Sequence, residues 1–478
     1  MRILLLNNPF FAEALRKLGH EVLSSQPNHG DLVESSPAPD IHDILDQMPS
    51  SRQPDLIIAV EGFEEKVYYR NLNLCDIPTV FWAIDTHVHL RWMAPYSQEF
   101  DLTCVAQRDH VERFPSARWL PLCFPRMIQV PFDNPRDIPV SFIGNLKAVE
   151  CPQRYEFLKA LQERVPILIG SGDYVEAYKR SAIILNHCVA GDLNFRVFEA
   201  LACGGMLLTP DIKNGQNLLF EPGLDLATYR SGDVDDAVRL IDHYLNCTAE
   251  RHQIAMNGYL KTYRSHTIIN RAQSLLEMIE PWLVQKRKKK KTSAGLAVKL
   301  LGERYYWIYH HGSGIFPREQ YLEAARDCLQ QAIVEASKSK SNDQAPDLAE
   351  MESLLGDIYL SGYGDVEKAQ LYFQRAQHRS PDLYSAILGM GHIHRELGDL
   401  QAALRWYEEA ARKHPQEAEG FHFAALAALE LQQWERASYW VSLSEQRGHR
   451  NEQVITLLNR MKHARLAGFT GVSSCGSN

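Results

Sequence analysis

Along the first half of the chain, short runs that are apolar or β-branched throughout alternate with stretches of helix length. The clearest are Ile3 to Leu6, Leu56 to Val60, Thr79 to Ala83 and Leu102 to Val105. Side chains of a strand point alternately to its two faces, so a strand with no polar face is covered on both sides, as in a parallel sheet flanked by crossover helices. Gly19 stands where a first helix needs its C-terminal cap, and Glu21 to Leu23 begin a second strand. Prolines 121, 125, 131, 135 and 139 then interrupt the alternation, which predicts a stiff, extended interdomain linker between about Pro121 and Pro139. The pattern restarts with strands at Val140 to Ile143, Ile167 to Ile169, Ile183 to Leu185 and Met206 to Leu208. A helix at Phe195 to Cys203 precedes the last of these, and two long helical patterns, Val234 to Leu245 and Thr267 to Val284, close the region. The prediction is α/β, with two Rossmann-like doubly wound domains over residues 1–130 and 131–285.

Lys286 to Lys291 are six consecutive cations, which repel one another and cannot enter a core. A solvated basic linker over 286–295 is the expectation, with contact to an anionic membrane or nucleic acid as the alternative. Beyond it the pattern becomes helical and repeats. Gly356 and Gly391 occupy first helices, Ala369 and Ala403 open second helices, Tyr372, Phe373 and Tyr407 follow, and Pro381 and Pro415 close the units. Small residues let the two helices of a hairpin cross closely, and the aromatic fills the gap to the next hairpin. This spacing resembles tetratricopeptide repeats. The best copy is Tyr384 to Pro415, and a third, Ala418 to Gly448, keeps Ala425 and Ala437 without the proline. The first copy has an extra residue near Gly362 to Gly364, and Glu352 where the repeat has an aromatic. Residues 296–340 are expected to supply a capping helical pair within an all-α solenoid over 296–465. The small, polar residues 466–478 are expected to form a disordered tail.

A chain of 478 residues with 45% hydrophobic and 23% charged positions suits several globular domains. The net charge of −8 excludes a general attraction to nucleic acid. No apolar run approaches the roughly 18 to 20 residues of a membrane helix. Ile3 to Leu6 are too short for a secretory core and are followed at once by Asn7, Asn8 and Pro9. Nine scattered cysteines without a CxxC pair favour neither disulfides nor structural zinc, so a soluble chain in a reducing cytoplasm is expected.

The most informative stretch runs from Tyr178 to Thr209. Its helix starts just after Asp192 and Asn194, either of which can cap it, and ends at Gly204-Gly205 before a buried strand. Free amides at the helix start, joined by Arg196, form an anion site suited to a diphosphate, and Glu199 lies one turn on, within reach of a ribose diol. A capped amphipathic helix with Glu199 on its wet face is the plainer reading. The stretch resembles the donor-nucleotide motif of GT-B glycosyltransferases, particularly the CgeB/YkvP-like spore-protein glycosyltransferases. Phe142 to Asn145 (FIGN), Arg154, Ile169 to Asp173 (IGSGD) and Phe220 to Gly223 (FEPG) support the likeness, which covers about residues 1–285. The resemblance implies that Glu199 binds ribose hydroxyls and that Gly144 and Gly170 let the backbone approach the diphosphate. It implies a donor set of Gly144, Asn145, Arg154, Gly170, Asn186, Asn194, Arg196, Glu199, Gly204 and Gly205. Families with two glutamates eight apart would need an acid at Gly191, where there is none; Asp192 is adjacent, and no stereochemical outcome follows.

In the N-terminal half, Asp85-Thr86-His87-Val88-His89 directly follow a strand, where ligands of open α/β sheets bind. Asp85 or His87 suits a base that takes the proton of an attacking hydroxyl. A structural hydrogen-bonding loop is an equal reading, and on an extended chain Asp85, His87 and His89 would also point the same way, as metal ligands do. Glu61 is a further candidate on the same rim. Asp233-Val234-Asp235-Asp236 looks like a metal-binding DxD but begins a helix, where acids cap amides. Neither a metal nor a resident cofactor is expected, since GT-B enzymes are implied to manage leaving-group charge with helix ends and basic residues such as Arg196. The resulting expectation is metal-independent transfer of a sugar from a nucleotide-diphosphate donor to a protein or glycan acceptor, with the repeats recruiting the acceptor or a partner. The alternatives are a nucleotide-sugar epimerase and a degenerate transferase serving as a repeat scaffold.

Overall fold

The computed structural model describes residues 1–27, 30–62, 67–148, 151–188, 190–284, 295–312, 314–338 and 348–449, with 452, 455, 456 and 459. The basic run 286–291 and the tail 466–478 lie outside the described residues. The chain forms two compact units, Met1–Thr292 and Ser293–Asn478. Among the described residues no helix is long and apolar enough to cross a membrane.

The first unit holds two all-parallel sheets. One comprises β1 (Arg2–Leu6), β2 (Glu21–Gln26), β3 (Leu32–Val33), β4 (Leu56–Val60), β5 (Thr79–Ala83), β6 (Leu102–Val105) and β7 (Arg118–Trp119). They lie in the order β3-β2-β1-β4-β5-β6-β7, so the chain reverses its direction of travel across the sheet between β1 and β4. The other comprises β8 (Ile138–Ile143), β9 (Ile167–Gly170), β10 (Ser181–Leu185), β11 (Met206–Pro210) and β12 (Ala227–Tyr229), ordered β12-β11-β10-β8-β9, with the reversal between β8 and β10. These are the two common doubly wound orders, and in both a crevice opens beyond the strand ends where the order reverses. The apolar runs predicted the buried strands; the two-residue edge strands β3 and β7 are too short to show periodicity.

Three features of this unit differ from expectation. The Pro-rich stretch is extended, but Leu120, Leu122, Cys123 and Phe124 are buried, so its first part belongs to the core. A helix not anticipated from the pattern, Thr248–Ser265, stands between the two long ones. Its buried face includes Gly258 and Thr262 beside Ile254, Ala255 and Tyr259, which weakens the apolar period. A Cβ at Gly258 would stand 2.3 Å from the Asp225 carbonyl oxygen, so the small residue is what lets this helix dock. Finally, the closing helix, Ile268–Val284, packs on helix Ala12–Lys17 of the first sheet domain. The chain crosses back where Phe124 N–H donates to His266 O at 2.8 Å and Ile268 N–H to Phe124 O at 3.1 Å.

The second unit is a run of helical hairpins: Gly295–His311 with Arg318–Lys338, Leu348–Asp357 with Val366–Arg379, Tyr384–Glu396 with Leu400–Lys413, and Ala418–Glu430 with Trp434–Gln446. The extra residue of the first repeat copy is absorbed by a π-helical turn, Ile358–Gly362. Close crossing depends on glycine: a Cβ at Gly391 would lie 2.4 Å from the Tyr407 ring, and one at Gly389 2.3 Å from Phe373. Asp365 and Asp399 start their helices by accepting from Lys368 N and Ala402 N. Glu352, in an aromatic's place, is buried and accepts from Arg379 Nε at 2.7 Å.

Candidate functional site

The second sheet reverses between β8 and β10, and the carboxyl ends of those strands carry Gly144-Asn145 and Asn186-His187. Arg196, in the first turn of helix Phe195–Ala202, spans this point. Its Nε donates to Ile143 O at 3.0 Å and its Nη1 to Asn186 Oδ1 at 2.8 Å, and its guanidinium lies 4.5 Å from the Phe142 ring centre. A Cβ at Gly144 would stand 2.2 Å from Arg196 Nη2, so a larger residue there would displace the guanidinium. Gly144 N–H donates to Gly170 O at 2.9 Å, which ties the turn after β8 to the end of β9.

Arg154, from helix Pro152–Gln162, is buried beside Arg196 and donates to His187 O at 3.2 Å and Asn145 O at 3.4 Å. Both arginines are thus held by carbonyl and amide oxygens, and among the described residues neither is within ion-pair distance of a carboxylate. Burial and then the charge of Arg196 push the Arg154 pKa down. The same burial, followed by the charge of Arg154, lowers His187 to about 4, so its ring is neutral at pH 7. Uncompensated cations close together store repulsion that a polyanion relieves.

Asn194 occupies the N-cap position of helix Phe195–Ala202 but makes no capping bond, contrary to the expectation that its side chain or that of Asp192 would cap the helix. Its Nδ2 instead donates to Asn186 Oδ1 at 3.3 Å, while its Oδ1 is buried with no partner. The amides of the first turn are therefore left without a side-chain cap next to the two arginines.

Glu199 lies one turn further along the same helix, and burial raises its pKa to about 7 against the opposing pull of Arg196, Tyr174 and Arg126. Arg126 lies 4.8 Å from the Tyr174 ring centre and pairs with Asp173 at 3.0 Å. Asp173 also caps Val175 N–H at 3.0 Å and closes the loop after β9. A Cβ at Gly172, whose φ is +99°, would meet no atom within 4 Å, so the loop faces open space. Sequence reasoning missed Arg126 and Tyr174: one sits in the proline-rich stretch, the other directly follows the glycine motif, and only the fold brings them to Glu199. Gly204 and Gly205 lie elsewhere, at the amino ends of the strands. Their added Cβ atoms would meet Arg136 and Phe132, and Ile184 and Ser181, so they serve packing at the edge opposite the arginine pair. Asp233 caps Asp236 N–H at 2.9 Å, and Asp236 pairs with Arg239 at 2.7 Å.

On the first sheet, Glu61 follows β4 at the reversal point. It is buried, and its Oε2 accepts from Ile84 N–H at 2.6 Å and Asp85 N–H at 2.8 Å, which fixes the loop carrying Asp85. Residues 85–89 are not extended. Val88 and His89 both return their N–H to Asp85 O, opening helix Thr86–Tyr96. At about 100° per residue His87 and His89 point roughly 160° apart, so the shared direction needed for Asp85, His87 and His89 to ligate one metal is lost. His89 packs on Trp92 at 5.7 Å. Asp85 is half-buried, and its pKa is raised by burial and by Asp192 from the second sheet domain, with His87 opposing. His87 Nδ1 is buried without a partner.

The cleft walls are fixed by residues that carried no sequence signal. Gln107, after β6, accepts Leu193 N–H at 2.9 Å and Asn214 Nδ2 at 2.5 Å, and Asn214 Oδ1 accepts Asp109 N–H at 3.2 Å. Phe10 packs on Phe195 at 5.7 Å. The start of helix Phe195–Ala202 is therefore clamped to the first sheet domain.

Comparison with known proteins agrees with this geometry in two places. Residues 133–277 match a family model described as glycosyl transferase-like, and residues 386–419 match a tetratricopeptide repeat model. No curated protein matches the chain. Among solved structures, sucrose-phosphate synthase from Thermosynechococcus elongatus is similar with a TM-score of 0.43 at 13% identity, over 59% of this chain and 100% of its own. Anabaena HepE, in complex with UDP and glucose, gives 0.41 at 13% identity over 59% and 100%. A tetratricopeptide repeat protein from Parabacteroides merdae gives 0.28 at 17% identity over 35% and 60%. The chain thus joins a glycosyl transferase-like domain to a C-terminal unit that contains a tetratricopeptide repeat.

Proposed function

We propose that the chain is a nucleotide-sugar-dependent glycosyltransferase whose donor diphosphate sits at the β8/β10 reversal point. The observation that carries this reading is the pair Arg154 and Arg196, two cations without a carboxylate partner among the described residues, beside the uncapped start of helix Phe195–Ala202. In the transfer, an acceptor hydroxyl oxygen forms a bond to the anomeric carbon while the bond from that carbon to the terminal phosphate oxygen breaks. The negative charge that develops on the leaving diphosphate is met by Arg196, Arg154 and the first-turn amides, donors already in place before the reaction. The hydroxyl proton passes to Asp85 or His87; burial makes the Asp85 carboxylate a stronger proton acceptor than an exposed one. Glu199, in its ionised form, accepts from the ribose hydroxyls.

No resident cofactor or metal enters this scheme, since the arginines and helix amides take the charge that a cation would otherwise hold. The likeness of the donor stretch to CgeB/YkvP-like transferases supports a protein or surface-glycan acceptor and a cytoplasmic place of action. The repeat unit then recruits the acceptor or a partner through a groove of about 510 Å³ lined by Glu350, Asp357, Tyr384, His392, Glu419 and Phe423. The test is release of nucleoside diphosphate from a panel of uridine- and guanosine-diphosphate sugars, with and without EDTA. Metal-independent release from at least one donor is expected; no release from any, by a folded chain, contradicts the proposal.

A further inference from the structure

We propose that His243, Cys247 and Glu250 form a surface site for one zinc-like divalent cation, separate from sugar transfer. The three residues straddle the break between helix Val234–Asn246 and helix Thr248–Ser265. Cys247, with φ −93° and ψ 65°, interrupts the helical path, and this brings the last turn of one helix against the first turn of the next. His243 Nε2 lies 2.9 Å from Glu250 Oε2, and Cys247 Sγ lies 3.7 Å from His243 Nδ1. One ligand atom from each residue falls within 4.8 Å of the others, and no other such trio occurs among the described residues.

The donor set is an imidazole nitrogen, a thiolate and a carboxylate, which matches a borderline-soft cation such as zinc and suits neither calcium nor magnesium. Tetrahedral bonds of about 2.0 to 2.3 Å would bring the ligand atoms to roughly 3.3 to 3.7 Å from one another. His243 offers one ring nitrogen to the metal, so its 2.9 Å contact with Glu250 must open or its ring must turn as the third ligand closes in, and the three side chains have room to do so because His243 and Glu250 are exposed and Cys247 is half-buried. Arg251 Nη1 donates to the carbonyls of Tyr244 and Leu245, at 2.5 and 3.2 Å, so those oxygens are already engaged and the fourth position is left to solvent in this proposal. Binding transfers the thiol proton to solvent and joins the two helices through three side chains.

The experiment uses the full chain, stripped with EDTA and exchanged into chelator-free buffer. Zinc is titrated against a chromophoric chelator, and cobalt(II) is added separately to read a thiolate-to-cobalt charge-transfer band. Of the described cysteines only Cys151 and Cys247 are not buried, so C151S is the control, combined with C475S to remove the thiol of the tail. One equivalent of zinc, a cobalt–thiolate band and a higher unfolding temperature with zinc are expected in that background. C247S and H243Q should each weaken binding by at least about 100-fold and abolish the band, with unchanged circular dichroism. Absence of stoichiometric binding, or binding that survives C247S, overturns the site. Because the readouts are metal affinity and a spectrum, either outcome is independent of whether the chain transfers sugar.

Discussion

Buried charge is handled differently in the repeat unit and at the β8/β10 reversal point. In the repeat unit two buried acids each have a cation: Glu352 meets Arg379 at 2.7 Å, and Glu408 meets Arg436 at 2.5 Å and Trp440 Nε1 at 2.8 Å. In the second sheet domain Asp236 and Asp225 are likewise paired, with Arg239 at 2.7 Å and Lys261 at 2.5 Å, but Arg154 and Arg196 are held by carbonyl and amide oxygens, with Cys151 Sγ 3.8 Å from Arg154 Nη1. A buried charge with its counter-ion is architecture, since breaking it leaves the partner stranded in a low dielectric. A charge oriented by neutral acceptors keeps its field for a ligand. Buried acid–base pairs are therefore structural in both units, and the arginines at the reversal point are where the donor site is proposed.

That contrast can be broken by substitution. The largest effect is expected on the cleft's first-domain wall: Asp85→Asn or His87→Ala, whichever residue takes the proton, should lower turnover by about 10²- to 10⁴-fold with donor affinity unchanged. Steady-state kinetics beside calorimetry reads this, and full activity in both variants would remove the pair from the chemistry. In the repeat unit, Arg379→Ala should cost roughly 1 to 3 kcal/mol by stranding buried Glu352, with nucleotide affinity untouched. Denaturant unfolding checks it; an unchanged midpoint would erase the distinction drawn above.

A smaller effect is expected from pH. Burial pushes the Glu199 carboxyl up to about 7 in the folded chain, from an ordinary value of 4.5. Between those values the folded chain holds a proton that the unfolded chain has released, so stability falls as pH rises through that window and levels off above it. Unfolding midpoints of the ligand-free chain should show this slope, and Glu199→Gln should flatten it. A slope equal in the two proteins would mean that Glu199 is not the group responsible.

The legible parts of this molecule were those set by local pattern. Runs such as Leu56 to Val60 are apolar because both faces are covered, and the extra residue near Gly362 surfaced as a π-helical turn. What stayed hidden depends on contacts distant in sequence. Arg126 reaches Asp173, Gln107 reaches Leu193, and helix Ile268–Val284 returns to Ala12–Lys17. Helix Thr248–Ser265 was obscured because its docking face uses Gly258 and Thr262 in place of aliphatic side chains. The alternation Asp85, His87, His89 misled because period two signals a strand only where the backbone is extended, and here Asp85 O accepts the amides that begin a helix.

The central claim, that the arginine pair awaits a diphosphate, is tested most directly by calorimetric titration of the full chain with UDP and GDP beside Arg196→Ala. The account predicts saturable binding of at least one nucleotide that weakens by roughly 10- to 100-fold in the variant, the equivalent of about 1.5 to 3 kcal/mol for a lost hydrogen bond to a charged group. Equal affinity in the two proteins, with the fold intact, would contradict it.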